Sequence, residues 1–172
     1  WEMNSAIYSQ FFDHYINNAP SGSLIDDLPV YRYNQVAAVV YGLDLDSRRE
    51  LTKIGAGILS MIGRFDYVRG KDTDNGQNLA RISPARVLVG LEYKQDKWAF
   101  DLEAQHVTRQ SKVAEFEKRT AAYTMTNIGY SYNIVKDTYA VNLFARVKNI
   151  FDVEARNHVS MLSRLAPMPG RN

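Results

Sequence analysis

The sequence predicts an all-β fold: an antiparallel segment of a transmembrane β-barrel built from about seven strands. Three observations predict it. Apolar and polar residues alternate with a period of two, short and long connections alternate, and aromatic residues gather near the predicted strand ends. No helical period extends over any long stretch. Alternation is also typical of a soluble antiparallel β-sandwich, which stays open as the alternative fold.

The first three strands are predicted over residues 3–16, 31–46 and 51–68. The second shows the alternation most clearly. Val39, Tyr41 and Leu43 share an apolar face, and the opposite face is small or polar with ionic ends. Gly55 and Gly57 lie inside the third predicted strand, where they indicate a bulge or a close approach of the backbone.

The remaining four strands are predicted over residues 85–93, 98–109, 123–132 and 139–151. Asp101 and Glu103 share the polar face of the fifth strand, and Arg146 and Lys148 share that of the seventh. In a barrel these four side chains line the polar interior, or lumen.

The connections between strands alternate in length. Short connections are predicted at residues 47–50, 94–97 and 134–137, and long ones at 17–30, 69–84, 110–120 and from 152 onward. If the long loops share one side, two aromatic bands result, as at the two interfaces of a bilayer. The loop-side band comprises Tyr31, Tyr33, Tyr67, Tyr123 and Phe151. The turn-side band comprises Tyr93, Trp98, Tyr130, Tyr132 and Tyr139.

Composition excludes several classes of protein. Of the 172 residues 45% are hydrophobic, and the net charge is only +2 with both signs interspersed. Disorder is therefore excluded, and nucleic-acid binding has little support because no basic block is present. The lack of cysteine excludes disulfides and thiolate metal sites. No apolar run approaches the ~18 residues of a membrane helix, and any targeting signal is expected outside this chain.

Four segments carry a family resemblance: "DYVRGK" (66–71), "RISPAR" (81–86), "HVTRQSKVAEFEKRTAAYT" (106–124) and, most strongly, "FARVKNIFDVEARNHVSMLSRLAPMPGRN" (144–172). Together they resemble the C-terminal barrel of a TonB-dependent outer-membrane receptor. "KNIFD" stands where that family has an Asn-Leu-Phe-Asp signature, and "PMPGRN" resembles the turn into its last strand. The final segment is most similar to the branch associated with zinc and haem uptake.

The resemblance implies a barrel of about 22 strands with an N-terminal plug. We expect residues 1–172 to form part of that barrel, as one domain without plug or last strand, because an odd number of strands cannot close a bacterial barrel. The implied location is the outer membrane of a Gram-negative bacterium. The implied partners are its lipid, the rest of the barrel and plug, and TonB through an N-terminal part outside this chain.

The implied role is import of a scarce metal or metal complex, zinc or haem, as cargo rather than as an intrinsic cofactor. A siderophore receptor of the same architecture is the alternative. No catalytic motif is present. Asp101 and Glu103 superficially resemble a catalytic pair, but their expected place is the polar lumen, so we expect no enzyme.

Three histidines are candidate ligands, because imidazole binds both zinc and haem iron. His158 lies in the last long loop, where the alternative is a solvated residue or a partner of Asp152 or Glu154. Alternation places His106 on the lipid face, and His14 comes just before a long loop.

Charged residues are open to two interpretations. Arg146 and Lys148, with Arg32 and Arg86, could attract an anionic ligand, or they could pair with carboxylates on neighbouring strands. The carboxylates available for such pairing are Asp44, Asp101 and Glu103. In the loops, Asp26, Asp27, Asp72 and Asp74 offer oxygens to a cation, although acidic loops are usually only solvated.

Overall fold

The computed structural model describes all residues, 1–172. Its seven strands form one antiparallel sheet whose strand order follows the chain. The strands are β1 (Glu2–Ile25), β2 (Leu28–Ile54), β3 (Gly57–Asp72), β4 (Arg86–Gln95), β5 (Trp98–Val107), β6 (Tyr123–Lys136) and β7 (Tyr139–Val147). The predicted all-β fold and strand number are confirmed. No helix is long and apolar enough to cross a membrane.

The sheet has no second sheet packed against it, because all seven strands belong to one layer. Its apolar face is left uncovered: Val89, Leu91, Leu102 and Leu143 are all exposed. A soluble sandwich would bury this face between two sheets. The sandwich alternative is therefore wrong.

The first short connection lies at a different place from the predicted one. Residues 47–50 continue β2 and pair with residues 60–63 of β3. The turn comes at Gly55 and Ala56, where Gly55 adopts a left-handed φ of 59° that glycine tolerates without strain. Gly57 shows the predicted close approach, because a Cβ there would meet the Tyr93 ring. Charged residues at 48–50 resemble a turn only in composition.

The predicted loop at residues 17–30 is instead a hairpin. β1 and β2 remain paired up to Ile25 and Leu28, and a two-residue turn at Asp26 and Asp27 has φ values of 50° and 62°. β3 accompanies β2 only as far as Ala38. The hairpin therefore extends past β3 by residues 28–37, about 33 Å at ~3.3 Å per residue. Mutual pairing of β1 and β2 satisfies the backbone of this projecting part, where β3 no longer pairs with β2.

The turn-side aromatic band forms as predicted. Tyr93 and Trp98 pack with ring centroids 5.0 Å apart, and Trp98 is paired with Tyr132 on β6. The loop-side band is less regular. Tyr67 lies on the apolar face opposite Leu43, whereas Tyr31 and Tyr33 lie farther out on the hairpin. Tyr123 begins β6 at the loop side, as predicted, but it lies an odd number of residues from Tyr130 and so faces the other side of the sheet.

The most buried apolar cluster lies at the loop end of the polar face. Val36 and Ala38 of β2 pack against Leu79, which is 0% exposed and comes from the β3–β4 loop. Gly70 leaves room for this contact, since a Cβ there would lie 2.9 Å from a Leu79 methyl group. The β3–β4 loop, residues 73–85, is thus folded onto the sheet rather than extended away from it.

Candidate functional site

The polar face of the sheet carries ion pairs between strands. Arg146 of β7 lies 3.2 Å from Asp101 and 3.6 Å from Glu103, both on β5. Arg86 of β4 lies 2.7 Å from Asp66 of β3. These contacts favour the interpretation in which charges on the polar face pair with each other, and they leave Arg86 and Arg146 already matched by carboxylates.

A glycine allows the contact between β5 and β7 to pass over β6. In the strand register, Gly129 is opposite both Asp101 and Arg146. A Cβ on Gly129 would collide with the Asp101 carboxylate. Because Gly129 has no side chain, the Arg146 guanidinium can reach the Asp101 carboxylate two strands away.

The same arrangement recurs between β2 and β4. Arg48 forms an ion pair with Glu92 across β3 and also donates to the Ser60 hydroxyl at 3.4 Å. Glu92 accepts a second contact from Lys94 at 3.0 Å. Here a buried serine, rather than a glycine, gives the crossing side chain its room. Register therefore sets the ion pairs of the polar face, although Asp44 of β2 takes part in none of them.

Two of the four cations named from the sequence are not matched. Arg32 lies on the projecting hairpin opposite Ala19 and forms no ion pair. Lys148 follows the last residue of β7, and its backbone exchanges hydrogen bonds with Asn172. Its ammonium group also forms no ion pair, so the structure does not bring Lys148 to Asp101 and Glu103.

His106 and His14 are placed far from any cluster of ligands. His106 is on the exposed apolar face, as alternation predicts, with Nδ1 2.8 Å from the Thr124 hydroxyl. His14 lies in a bulge of β1 between Phe12 and Tyr15 and is exposed. No group of three or more His, Cys, Asp or Glu side chains could hold a metal ion in this chain.

His158 is buried, with only 2% of its side chain exposed. Its Nε2 lies 3.3 Å from Oε1 of Glu117, and its Nδ1 lies 3.2 Å from the Thr120 hydroxyl. Nε2 forms no well-aligned hydrogen bond. Glu117 is the acidic side chain within ionic range of it. The partner is neither Asp152 nor Glu154. Asp152 accepts the Arg171 N–H, and Glu154 pairs with Arg156.

Besides His158, two backbone N–H groups contact the Glu117 carboxylate. Its Oε1 accepts the Arg81 N–H at 2.8 Å, and its Oε2 accepts the Ala114 N–H at 2.9 Å. Burial by itself raises the pKa of Glu117, but these contacts and the His158 imidazole outweigh it, so the pKa lies below its ordinary value. Glu117 is therefore the charged partner around which the loops are arranged.

We call the set Arg81, Glu117, Thr120 and His158 the loop junction. It joins the β3–β4 loop (73–85), the β5–β6 loop (108–122) and the C-terminal segment (148–172). The Arg81 side chain adds a hydrogen bond to the Val159 carbonyl at 3.2 Å. Arg81 and Phe116 both have left-handed φ values, 59° and 60°. Such strained residues persist where surrounding contacts hold them.

Glu117 is the residue that sequence reasoning missed. Its partners come from loops distant along the chain, so no local spacing marks it. The acidic loop residues that offered oxygens to a cation have contacts within the protein. Asp72 accepts the Asp74 N–H at 2.9 Å, and Asp74 accepts the Ala37 N–H at 3.1 Å. Asp26 and Asp27 form the exposed hairpin turn.

The family model described as "TonB dependent receptor-like, beta-barrel" matches residues 1–150. The chain belongs to this family. The resemblance drawn from its motifs is thereby confirmed, and with it the predicted barrel fold. This is a family of receptors rather than of enzymes.

Two known proteins are similar to this receptor-barrel chain. Heme/hemopexin utilization protein C of Haemophilus influenzae is 24% identical over 137 residues, covering 77% of this chain and 18% of that protein. The copper transporter OprC has the same fold, with a TM-score of 0.81 at 19% identity over 98% of this chain and 27% of that one. The chain thus spans less than a third of either protein.

Proposed function

We propose that this chain forms part of the barrel wall of an outer-membrane receptor that imports a scarce metal or metal complex. The observation that carries the proposal is the two-faced, single-layer sheet. One face is apolar and uncovered, and the other is a lattice of ion pairs. A lipid-facing surface requires the first, and a water-filled or plugged interior suits the second.

Cargo of this class is supported by the relatives. One is named for heme and hemopexin utilization and the other for copper transport. Haem and zinc are the two cargoes we propose first, because the C-terminal segment resembles the branch associated with them. The plug and TonB, as the partners of this family, would supply gating and energy from parts outside residues 1–172.

Uptake assays in a strain lacking the full-length receptor test this proposal. Haem, zinc and a ferric siderophore are supplied separately, and uptake is compared with and without the receptor and with and without TonB. We expect receptor- and TonB-dependent uptake of haem or zinc. Uptake of the siderophore alone would favour the alternative receptor type, and no receptor-dependent uptake of any cargo would contradict the proposal.

A ligand role for His158, His106 or His14 stays a prediction. His158→Ala in the full-length receptor is expected to weaken zinc or haem binding if the imidazole is a ligand. Calorimetry measures this, with Thr120→Ala as the matched control that removes the hydroxyl contact and keeps the ring. Unchanged affinity in His158→Ala would remove this residue from the site and leave it the partner of Glu117 alone.

A further inference from the structure

Several cations on the polar face of the sheet are matched by carboxylates, as for Arg64, Arg86 and Arg146. Three others, next to the loop junction, form no ion pair: Lys118, Arg119 and Arg164. All three are exposed. These three cations therefore bring uncompensated positive charge together beside the loop junction.

These three cations line one cleft of about 330 Å³. One side of the cleft is residues 118–121 of the β5–β6 loop, and the other is Arg156 with residues 163–165 of the C-terminal segment. No carboxylate lines it. Arg156 is neutralised by Glu154 and donates a hydrogen bond to the Ser163 carbonyl at 2.9 Å. It therefore links residues 154–156 to residue 163 within the C-terminal segment.

The loop junction fixes the two sides of the cleft relative to each other. Lys118 directly follows Glu117, and Thr120 contacts His158 of the opposite side. The backbones that carry the cations are therefore held by buried contacts before any ligand arrives. Such preorganisation lowers the cost of binding, because less ordering of the loops is required.

We propose that this cleft, called the basic cleft below, binds an anion that carries at least two phosphate or carboxylate groups. Several unmatched cations in one concavity raise the local positive potential. Guanidinium groups bind phosphate and carboxylate through paired N–H donors, and a lysine adds a point charge. Cations on both sides of the cleft match an anion with separated charges. The site lies on the loops, so it does not rest on the proposed import of metal.

The proposal is tested by calorimetry with sodium tripolyphosphate on the full-length protein in a neutral detergent at low salt. We expect binding that weakens about tenfold or more in Lys118→Gln/Arg164→Gln, since each loses a charge-assisted contact. The matched control is Arg109→Gln, which removes an exposed, unpaired cation of the same loop outside the cleft. About 0.5 M salt should weaken binding to the unmodified protein.

A further variant distinguishes the loss of a charge from a disturbance of the loop structure. Arg164→Lys keeps the cation and should retain affinity within about threefold, since it loses only the paired donors. The source of the anion is distinguished by repeating the titration in lipid nanodiscs. If cardiolipin, a lipid with two phosphate groups, competes with tripolyphosphate and phosphatidylcholine does not, the natural ligand is a lipid headgroup. If neither competes, it is a free anion. Absence of tripolyphosphate binding, or equal losses in Arg109→Gln and the double variant, would overturn the proposal.

Discussion

The polar face of the sheet and the loop junction both depend on acid–base pairs, but they differ in burial and in origin. On the sheet, Arg64 and Asp46 are 59% and 52% exposed and meet because register places them opposite each other. At the junction, His158 and Glu117 are 2% and 10% exposed and meet because separate loops fold together. Exposed pairs contribute little each, whereas a buried charge depends strongly on its partner.

The largest expected effect comes from removing the buried carboxylate. Glu117→Ala leaves the N–H groups of Arg81 and Ala114 without their acceptor. It also leaves His158 without the carboxylate that lies 3.3 Å from its Nε2. We expect about 3 kcal/mol less stability of the loop junction against local opening. Hydrogen exchange of the loop amides measures this. In the control Glu154→Ala, which removes an exposed pair with Arg156, the change should stay below about 1 kcal/mol. Equal protection in both variants would contradict the distinction between the two regions.

Acid should also destabilise the loop junction, but by less than Glu117→Ala does, because a protonated Glu117 keeps an acceptor oxygen. The pKa of Glu117 is lowered from its ordinary value of 4.5 in the folded protein. Its contribution to stability is therefore present above that value and is lost as pH falls through the lowered pKa. Hydrogen exchange against pH should show this loss, and it should flatten in Glu117→Gln. A junction equally protected on both sides of this window would argue against the ionised carboxylate.

A smaller effect is expected where an ion pair passes over a glycine. Gly129→Ala places a Cβ against the Asp101 carboxylate and displaces it from Arg146. We expect a loss of about 1 kcal/mol in the free energy of unfolding of the full-length barrel, measured with urea in lipid vesicles. Gly90→Ala is the control, because its Cβ would meet only the Leu102 backbone at 3.2 Å and Glu103 at 3.8 Å. An equal or larger loss in Gly90→Ala would remove the special role of Gly129.

The smallest effect is expected for Arg64→Gln. Both members of the Arg64–Asp46 pair are about half exposed, so solvent screens the interaction. The same urea measurement should change by less than about 0.5 kcal/mol. A loss comparable to that in Glu117→Ala would mean that the wall pairs act as a cooperative network and that exposure is a poor guide to their strength.

Much of the wall could be predicted from the sequence, because alternation acts over neighbouring residues. The apolar face of β4 and β5 and the shared polar face of Asp101 and Glu103 follow from a period of two. The same alternation turns Tyr123 to the polar face of β6, although it lies at the loop-side end with the other aromatic residues of that band. One turn was predicted at the wrong place, because the charged residues 48–50 of β2 resemble a turn in composition.

The loops could not be predicted in the same way. Nothing near Glu117 distinguishes it from other acidic loop residues, and its contacts come from Arg81, Ala114 and His158. The nearby carboxylates Asp152 and Glu154 were the natural candidates from sequence distance alone. Their backbone and side-chain contacts lie within the C-terminal segment instead.

By itself, then, the sequence determined a seven-stranded, two-faced sheet and a family motif in "KNIFD" and "PMPGRN". Both are local properties, written in periodicity and in short contiguous segments. Only the tertiary structure decided which carboxylate meets His158, that Arg146 crosses β6 above Gly129, and that three cations remain unmatched around the basic cleft. The physical reason is that these contacts depend on how loops and non-adjacent strands lie in space, which no local pattern encodes.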